Sequence, residues 1–205
     1  MDLLEKCLVL KFHKDCLAQS GEGSVGALGW ETTESQQKRF EALAGIANLS
    51  NTTVLDLGCG YGDLKAFLDE RYAGVRYTGI DFMPEFIERA KQRFSGNSTA
   101  QFLRQDFTAM DIPGADYVFG SGIFCYPTQQ PDYYQGLIDR MLRSARKGIA
   151  FNMLNAADFP EGLYLKAHDM ESMYRYCRTL SNRVELRTGY LAGDFTVYIY
   201  KNQWG

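Results

Sequence analysis

A doubly wound α/β fold with a mostly parallel, seven-stranded sheet is predicted by three features of this 205-residue chain. From residue 53 onward, short apolar runs alternate with amphipathic stretches, the pattern of strands separated by crossover helices. The first run empties into three closely spaced glycines, and acids stand where three successive runs end. The last two runs, 183–188 and 194–200, are separated only by residues 189–193. So short a link permits an antiparallel hairpin and no parallel crossover.

Taken in order, the first 20 residues carry Leu3, Leu4, Cys7, Leu8, Leu10 and Leu17, a mixed pattern that suits a packed helix. Gly21, Gly23, Gly26 and Gly29 break the next stretch into a loop that ends at Trp30. From Thr33 a second helix is predicted, because Phe40, Leu43, Ala44 and Ala47 share one face of a 3.6-residue period. Residues 53–57 read as a buried strand, 63–72 as a helix with Leu64, Phe67 and Leu68 inward, and 75–80 as the second strand. Pro84 opens a helix over 84–94, and strands follow at 100–104 and 116–120. Tyr134, Leu137, Ile138, Met141, Leu142 and Ala145 stripe another helix, which leads into a strand at 148–154. Residues 169–180 are helical, with Met170, Met173, Tyr174 and Cys177 inward, ahead of the closing hairpin. The whole, 1–205, reads as one domain: a helical N-terminal extension or lid over 1–50 and an α/β core over 51–205.

Composition narrows the function. A net charge of −3 without a basic run argues against nucleic acid as a partner, since such binding rests on neutralising phosphates. Five cysteines without a CxxC pair suggest reduced thiols, with neither a disulfide framework nor a metal site. Apolar runs of about five residues are too short to span a bilayer. The acidic start, Asp2 and Glu5, does not look like a secretion signal. A cytoplasmic protein with no membrane partner is expected, and nothing in the sequence specifies an oligomeric state.

The decisive segment is VLDLGCGYGDL, residues 54–64. A buried strand runs into Gly58, Gly60 and Gly62 and on into a helix, so backbone can approach a ligand closely. A dinucleotide fingerprint, GxGxxG, would need glycine where Asp63 stands, and an acid there repels a pyrophosphate. The segment instead resembles motif I of class I S-adenosylmethionine-dependent methyltransferases, an acid followed by GxGxG, within a Rossmann-like sheet. The resemblance extends over about residues 53–154 and, more loosely, through the hairpin. It implies S-adenosylmethionine as cofactor, with Asp56 and the three glycines beside it. Asp81 matches the acid that accepts from the ribose hydroxyls, and Phe82 the residue that packs on adenine. Asp106, with Phe107 beside it, matches the acid that accepts from the adenine amino group. Ser121, in Gly120-Ser121-Gly122, falls next to the transferable methyl. An Asp/Asn-Pro-Pro-aromatic tetrad, which marks many amide and base N-methyltransferases, is absent at this point.

Arg39 either pairs with the cofactor carboxylate or is a solvated charge opposite the Phe40 face. Asn152 either contacts the acceptor or caps the strand exit. The chain has two histidines. His168, between the fifth strand and the next helix, is the first candidate for a general base, and His13 the second; the alternative at both is a hydrogen-bonded structural histidine. Trp30, Phe124, Tyr126, Phe159 and Tyr164 fall in segments able to form an aromatic wall for a small acceptor. The expected reaction is methyl transfer to oxygen or nitrogen of a small metabolite. A protein or RNA methyltransferase, or a non-catalytic S-adenosylmethionine-binding protein, would share the same motif.

Overall fold

A computed structural model describes residues 1–159 and 165–202. Its sheet has seven strands: β1 (Thr53–Leu57), β2 (Arg76–Asp81), β3 (Ala100–Arg104), β4 (Ala115–Gly120), β5 (Ala145–Leu154), β6 (Val184–Arg187) and β7 (Asp194–Tyr200). Their order is β3-β2-β1-β4-β5-β7-β6. All pairs are parallel except those of β7, which runs antiparallel to both β5 and β6. The order reverses at β1, flanked by β2 and β4, which opens a crevice at the carboxyl ends of these strands.

Among the described residues, six α-helices complete the fold: α1 (Leu3–Ser20), α2 (Thr33–Ala44), α3 (Asp63–Asp69), α4 (Pro84–Arg93), α5 (Tyr133–Ser144) and α6 (Met170–Leu180). Successive strand residues point to opposite faces, and the core divides accordingly. Leu55, Val118, Ile149 and Phe151 pack with Leu137 and Met141 of α5 and with Met173 and Cys177 of α6. Val54, Phe119 and Ala150 pack with Phe40 and Leu43 of α2, Phe67 of α3 and Ile87 of α4. Both faces of the sheet are thus covered, as an all-but-parallel sheet requires.

The expected boundaries shift by a few residues. The helix predicted over 63–72 ends at Asp69, and the strand predicted from 148 starts at Ala145. Thr32 and Asp2 cap α2 and α1 through reciprocal side-chain and backbone hydrogen bonds. In α1, Val9 and His13 are buried while Leu3 and Leu4 are 79% and 70% exposed, so its apolar residues do not segregate to one side. Among the described residues, no helix is long and apolar enough to cross a membrane.

Candidate active site

At the end of β1 the chain turns through Gly58, Gly60 and Gly62 at φ values of +74°, +52° and +77°, a region that side-chain-bearing residues seldom enter. Gly58 and Cys59 donate their N–H groups to Ile80 O at 2.8 and 3.1 Å, which folds the turn over the end of β2. There Asp81 closes the arrangement. Its Oδ2 accepts from Gly60 N at 3.0 Å and its Oδ1 from Met83 N at 2.9 Å. Asp56, one strand away, is buried and accepts from the Tyr77 hydroxyl through Oδ2, while Oδ1 has no hydrogen-bond partner.

Burial pushes the Asp56 carboxyl up to about 7; the Tyr77 hydroxyl opposes the rise, and the charges of Asp81 and Asp63 add to it. Burial likewise raises Asp81 to about 6, against the pull of the Met83, Gly60 and Phe82 backbone. A positive charge placed beside either carboxyl would favour its charged form.

These groups line a cavity of about 280 Å³. Eleven of the residues singled out in the sequence meet there: Asp56, Gly58, Gly60, Asp81, Phe82, Asp106, Phe107, Ser121, Trp30, Tyr126 and His13. Ser121 Oγ is buried without a partner. Asp106 is held from two sides, by Lys6 of α1 at 2.7 Å and by Thr108, whose N and Oγ1 donate at 2.8 and 2.6 Å. Partial burial acts to raise its pKa, but Lys6 and Thr108 outweigh that and the carboxyl lies below its ordinary value.

Six others among the described residues lie outside the lining. Arg39 binds Asp194 of β7 with Nε at 2.9 Å and Nη2 at 2.5 Å, and its guanidinium stacks 4.8 Å from the Trp30 ring centre. Arg39 is thus engaged by an ion pair inside the protein, where the sequence left open a cofactor carboxylate or a solvated charge. His168 Nε2 lies 2.7 Å from Phe124 O, and its ring meets Tyr134 edge-on at 4.5 Å. Burial lowers its pKa, and its Nε2 is committed to the backbone. Phe124 is fully buried against Phe151 rather than facing an acceptor. Asn152 Oδ1 accepts from Gly122 N at 3.2 Å, leaving Nδ2 unpartnered. Gly62 stands at the N-cap of α3, where an added Cβ would come within 2.8 Å of the Phe102 ring. Phe159 lies against Gly193, and Tyr164 is outside the described residues.

Helix α1 supplies lining that the sequence did not single out, including Lys6, Leu10 and Phe12, beside His13. No period in α1 announces this face, since the helix carries apolar residues all round.

Gly122 supports the Trp30 wall. It sits at φ +76°, and a Cβ there would lie 2.9 Å from Trp30 Cη2. Gly122→Ala is expected to cost about 1–3 kcal/mol through backbone strain and overpacking. Thermal unfolding measures the cost, and Trp30 emission in a Trp204→Phe background should shift to the red. An unchanged emission maximum with unchanged stability would contradict the contact.

Comparison with known proteins agrees with this geometry. A sequence model described as Methyltransferase domain matches residues 54–148. A Mycobacterium tuberculosis protein provisionally named a methyltransferase is 33% identical over 159 residues, covering 73% of this chain and 93% of the relative. A ubiquinone/menaquinone biosynthesis C-methyltransferase of Desulfotalea psychrophila is 32% identical over 95 residues, 46% of this chain and 37% of that protein. The crystal structure of magnesium protoporphyrin IX methyltransferase from Synechocystis PCC 6803 with bound S-adenosylhomocysteine superposes with a TM-score of 0.69 at 16% identity. It covers 97% of this chain and all of the other.

Proposed function

The chain belongs to the class I, S-adenosylmethionine-dependent methyltransferase family, and from that premise we propose that it moves a methyl group onto an oxygen or nitrogen of a small-molecule acceptor. On this reading residues 1–205 work as one methyltransferase domain, with 1–50 covering the site. The observation that carries it is the cavity: acids and glycines from the ends of β1 and β2, faced by apolar and aromatic residues from α1 and the Trp30 loop.

That division fits S-adenosylmethionine. Its cationic end suits Asp56, and its polar groups would satisfy the orphaned Asp56 Oδ1 and Ser121 Oγ. Asp81 takes the ribose hydroxyls, Phe82 and Phe107 flank the adenine, and Asp106 accepts from its amino group. Gly58 and Gly60 let the backbone approach. When bound, S-adenosylmethionine supplies a methyl group already activated by positive sulfur. The protein's task is then alignment and exclusion of water, and proximity of this kind offsets about 7–11 kcal/mol of barrier. Leu10, Phe12, Trp30 and Ile123 provide the water-excluding walls, and Tyr126 presents a hydroxyl to the acceptor. A cavity roofed by a helix of the chain's own favours a small acceptor over a folded macromolecule.

Calorimetry tests the reading. S-adenosylmethionine and S-adenosylhomocysteine should bind with micromolar affinity and NAD should not. Burial holds Asp56 up to about 7 and Asp81 up to about 6. A ligand ammonium or sulfonium beside Asp56 and ribose hydroxyls on Asp81 both favour the charged carboxylates, so binding of the two ligands should tighten as pH rises through that range. Protons should be released on binding at about pH 6 and not at about pH 8.5. Binding of NAD alone, or of none of the three, would sink the proposal; pH-independent binding would remove the role given to the two acids.

A further inference from the structure

We propose that His13 and Tyr126 form a proton-accepting pair that fits the site to a hydroxyl-bearing acceptor, so that the reaction is O-methylation. This rests on the methyltransferase reading above and names its substrate class. His13 comes from α1 and Tyr126 from the segment after β4, 113 positions apart, yet His13 Nε2 lies 2.7 Å from the Tyr126 hydroxyl. Both side chains line the cavity. The imidazole is held edge-on by Phe12 and Phe86 at 5.2 and 5.3 Å.

A purely structural staple would explain the contact less well, because α1 is pinned to the same segment by other means. Glu5 accepts from Thr128 Oγ1 at 2.9 Å and Gln129 N at 2.6 Å. The terminal ammonium of Met1 donates to Gln130 Oε1 at 2.8 Å, and Lys6 ties the helix separately to Asp106, beyond β3. Tyr134 fixes the Tyr126 carbonyl at 2.8 Å. The helix would stay docked with an apolar pair at positions 13 and 126. Burying an imidazole and a phenol hydroxyl there costs desolvation free energy that an apolar pair would not.

The chemistry favours oxygen. Burial lowers His13 to about 4, the Ala27 backbone opposing, so the ring is neutral and able to accept a proton near pH 7. Burial keeps Tyr126 protonated, well above its ordinary value. A base of this strength is weak against a free alcohol but sufficient against a hydroxyl that is being alkylated, since its proton becomes strongly acidic as the bond forms. The acceptor oxygen forms its bond to the methyl carbon while the carbon–sulfur bond breaks, its electron pair remaining on sulfur. The acceptor's proton passes to the Tyr126 oxygen as the Tyr126 proton passes to His13 Nε2, and the imidazolium loses it to solvent when product leaves. A carboxylate acceptor has no proton to give and a neutral amine need not lose one in the same step, so neither calls for this pair.

The test uses the full chain saturated with S-adenosylhomocysteine, with phenol and its methyl ether, anisole, as probes. With two histidines in the chain, ¹⁵N resonances of the His13 ring can be assigned by comparison with His13→Asn. Phenol is expected to shift the His13 ring nitrogens and anisole to leave them in place. Tyr126→Phe, which keeps the ring, should weaken phenol binding at least tenfold and change S-adenosylhomocysteine affinity less than twofold. Equal shifts from both probes, or no shift from either, overturn the proposal, as does a loss of S-adenosylhomocysteine affinity matching that of phenol. Failure of the wild-type chain to bind S-adenosylhomocysteine is a separate result that removes the methyltransferase reading as well.

Discussion

Asp81→Ala is expected to weaken S-adenosylhomocysteine binding about 100-fold and to lower stability at the same time. The carboxylate has two duties. Within the protein it takes the N–H groups of Gly60 and Met83, which shape the glycine turn and start α4. Towards the ligand, on the proposed reading, it would accept from two ribose hydroxyls. Loss of hydrogen bonds to a charged acceptor costs about 1.5–3 kcal/mol each, so a net loss near 2.8 kcal/mol, or 100-fold, is a moderate expectation. The two orphaned N–H groups add about 1–3 kcal/mol each to the loss of stability unless water replaces the carboxylate. Asp81→Asn separates the duties. Its amide oxygen can still serve Met83, but its NH₂ would face either Gly60 N–H or the ribose as a second donor. Stability should therefore recover in part while affinity stays low. Calorimetry with S-adenosylhomocysteine and thermal unfolding of both variants measure the two effects. Wild-type affinity in Asp81→Ala would take the ribose away from this residue.

The strands around β1 were legible because each announces itself locally. Buried apolar runs stop at glycine or aspartate, and the order of acids along the chain becomes an order of acids along one sheet edge. Asp56, Asp81 and Asp106 therefore came together as expected. What local patterns could not carry were choices of partner across long sequence distances. Lys6 reaches Asp106 and Glu5 reaches Gln129 only because α1 lies over the cavity, and a helix with apolar residues on every side gives no sign of which face turns in. The two histidines make the same point. Position in the chain favoured His168, which does follow β5, but a backbone carbonyl takes its Nε2. His13 sits mid-helix with no motif around it, and only the folded chain sets it beside Tyr126. Phe124 shows how small the margin is. Two residues before Tyr126, it turns the other way and fills the core.

Arg39→Ala is expected to destabilise the fold by about 3–5 kcal/mol, because it strands a buried carboxylate. The two side chains are only 12% and 3% exposed, and Arg39 meets Asp194 through two nitrogens. Burial already holds Asp194 above its ordinary pKa despite the opposing guanidinium. Without Arg39 burial acts unopposed, and the folded-state value rises further above the unfolded one. The folded chain then keeps a proton that the unfolded chain releases, so stability falls as pH rises from the ordinary carboxylate range toward neutrality. The deficit of the variant should accordingly be smaller in mildly acidic buffer than at pH near 8, which denaturant unfolding at the two pH values can measure. Replacing both partners, as Arg39→Met with Asp194→Leu, should recover most of the loss, since no charge is left buried. The same variants decide between two roles for this arginine. A ligand of the cofactor carboxylate would, when removed, lower S-adenosylhomocysteine affinity and spare stability. An internal ion pair does the reverse, touching the site only through the Trp30 ring stacked on it.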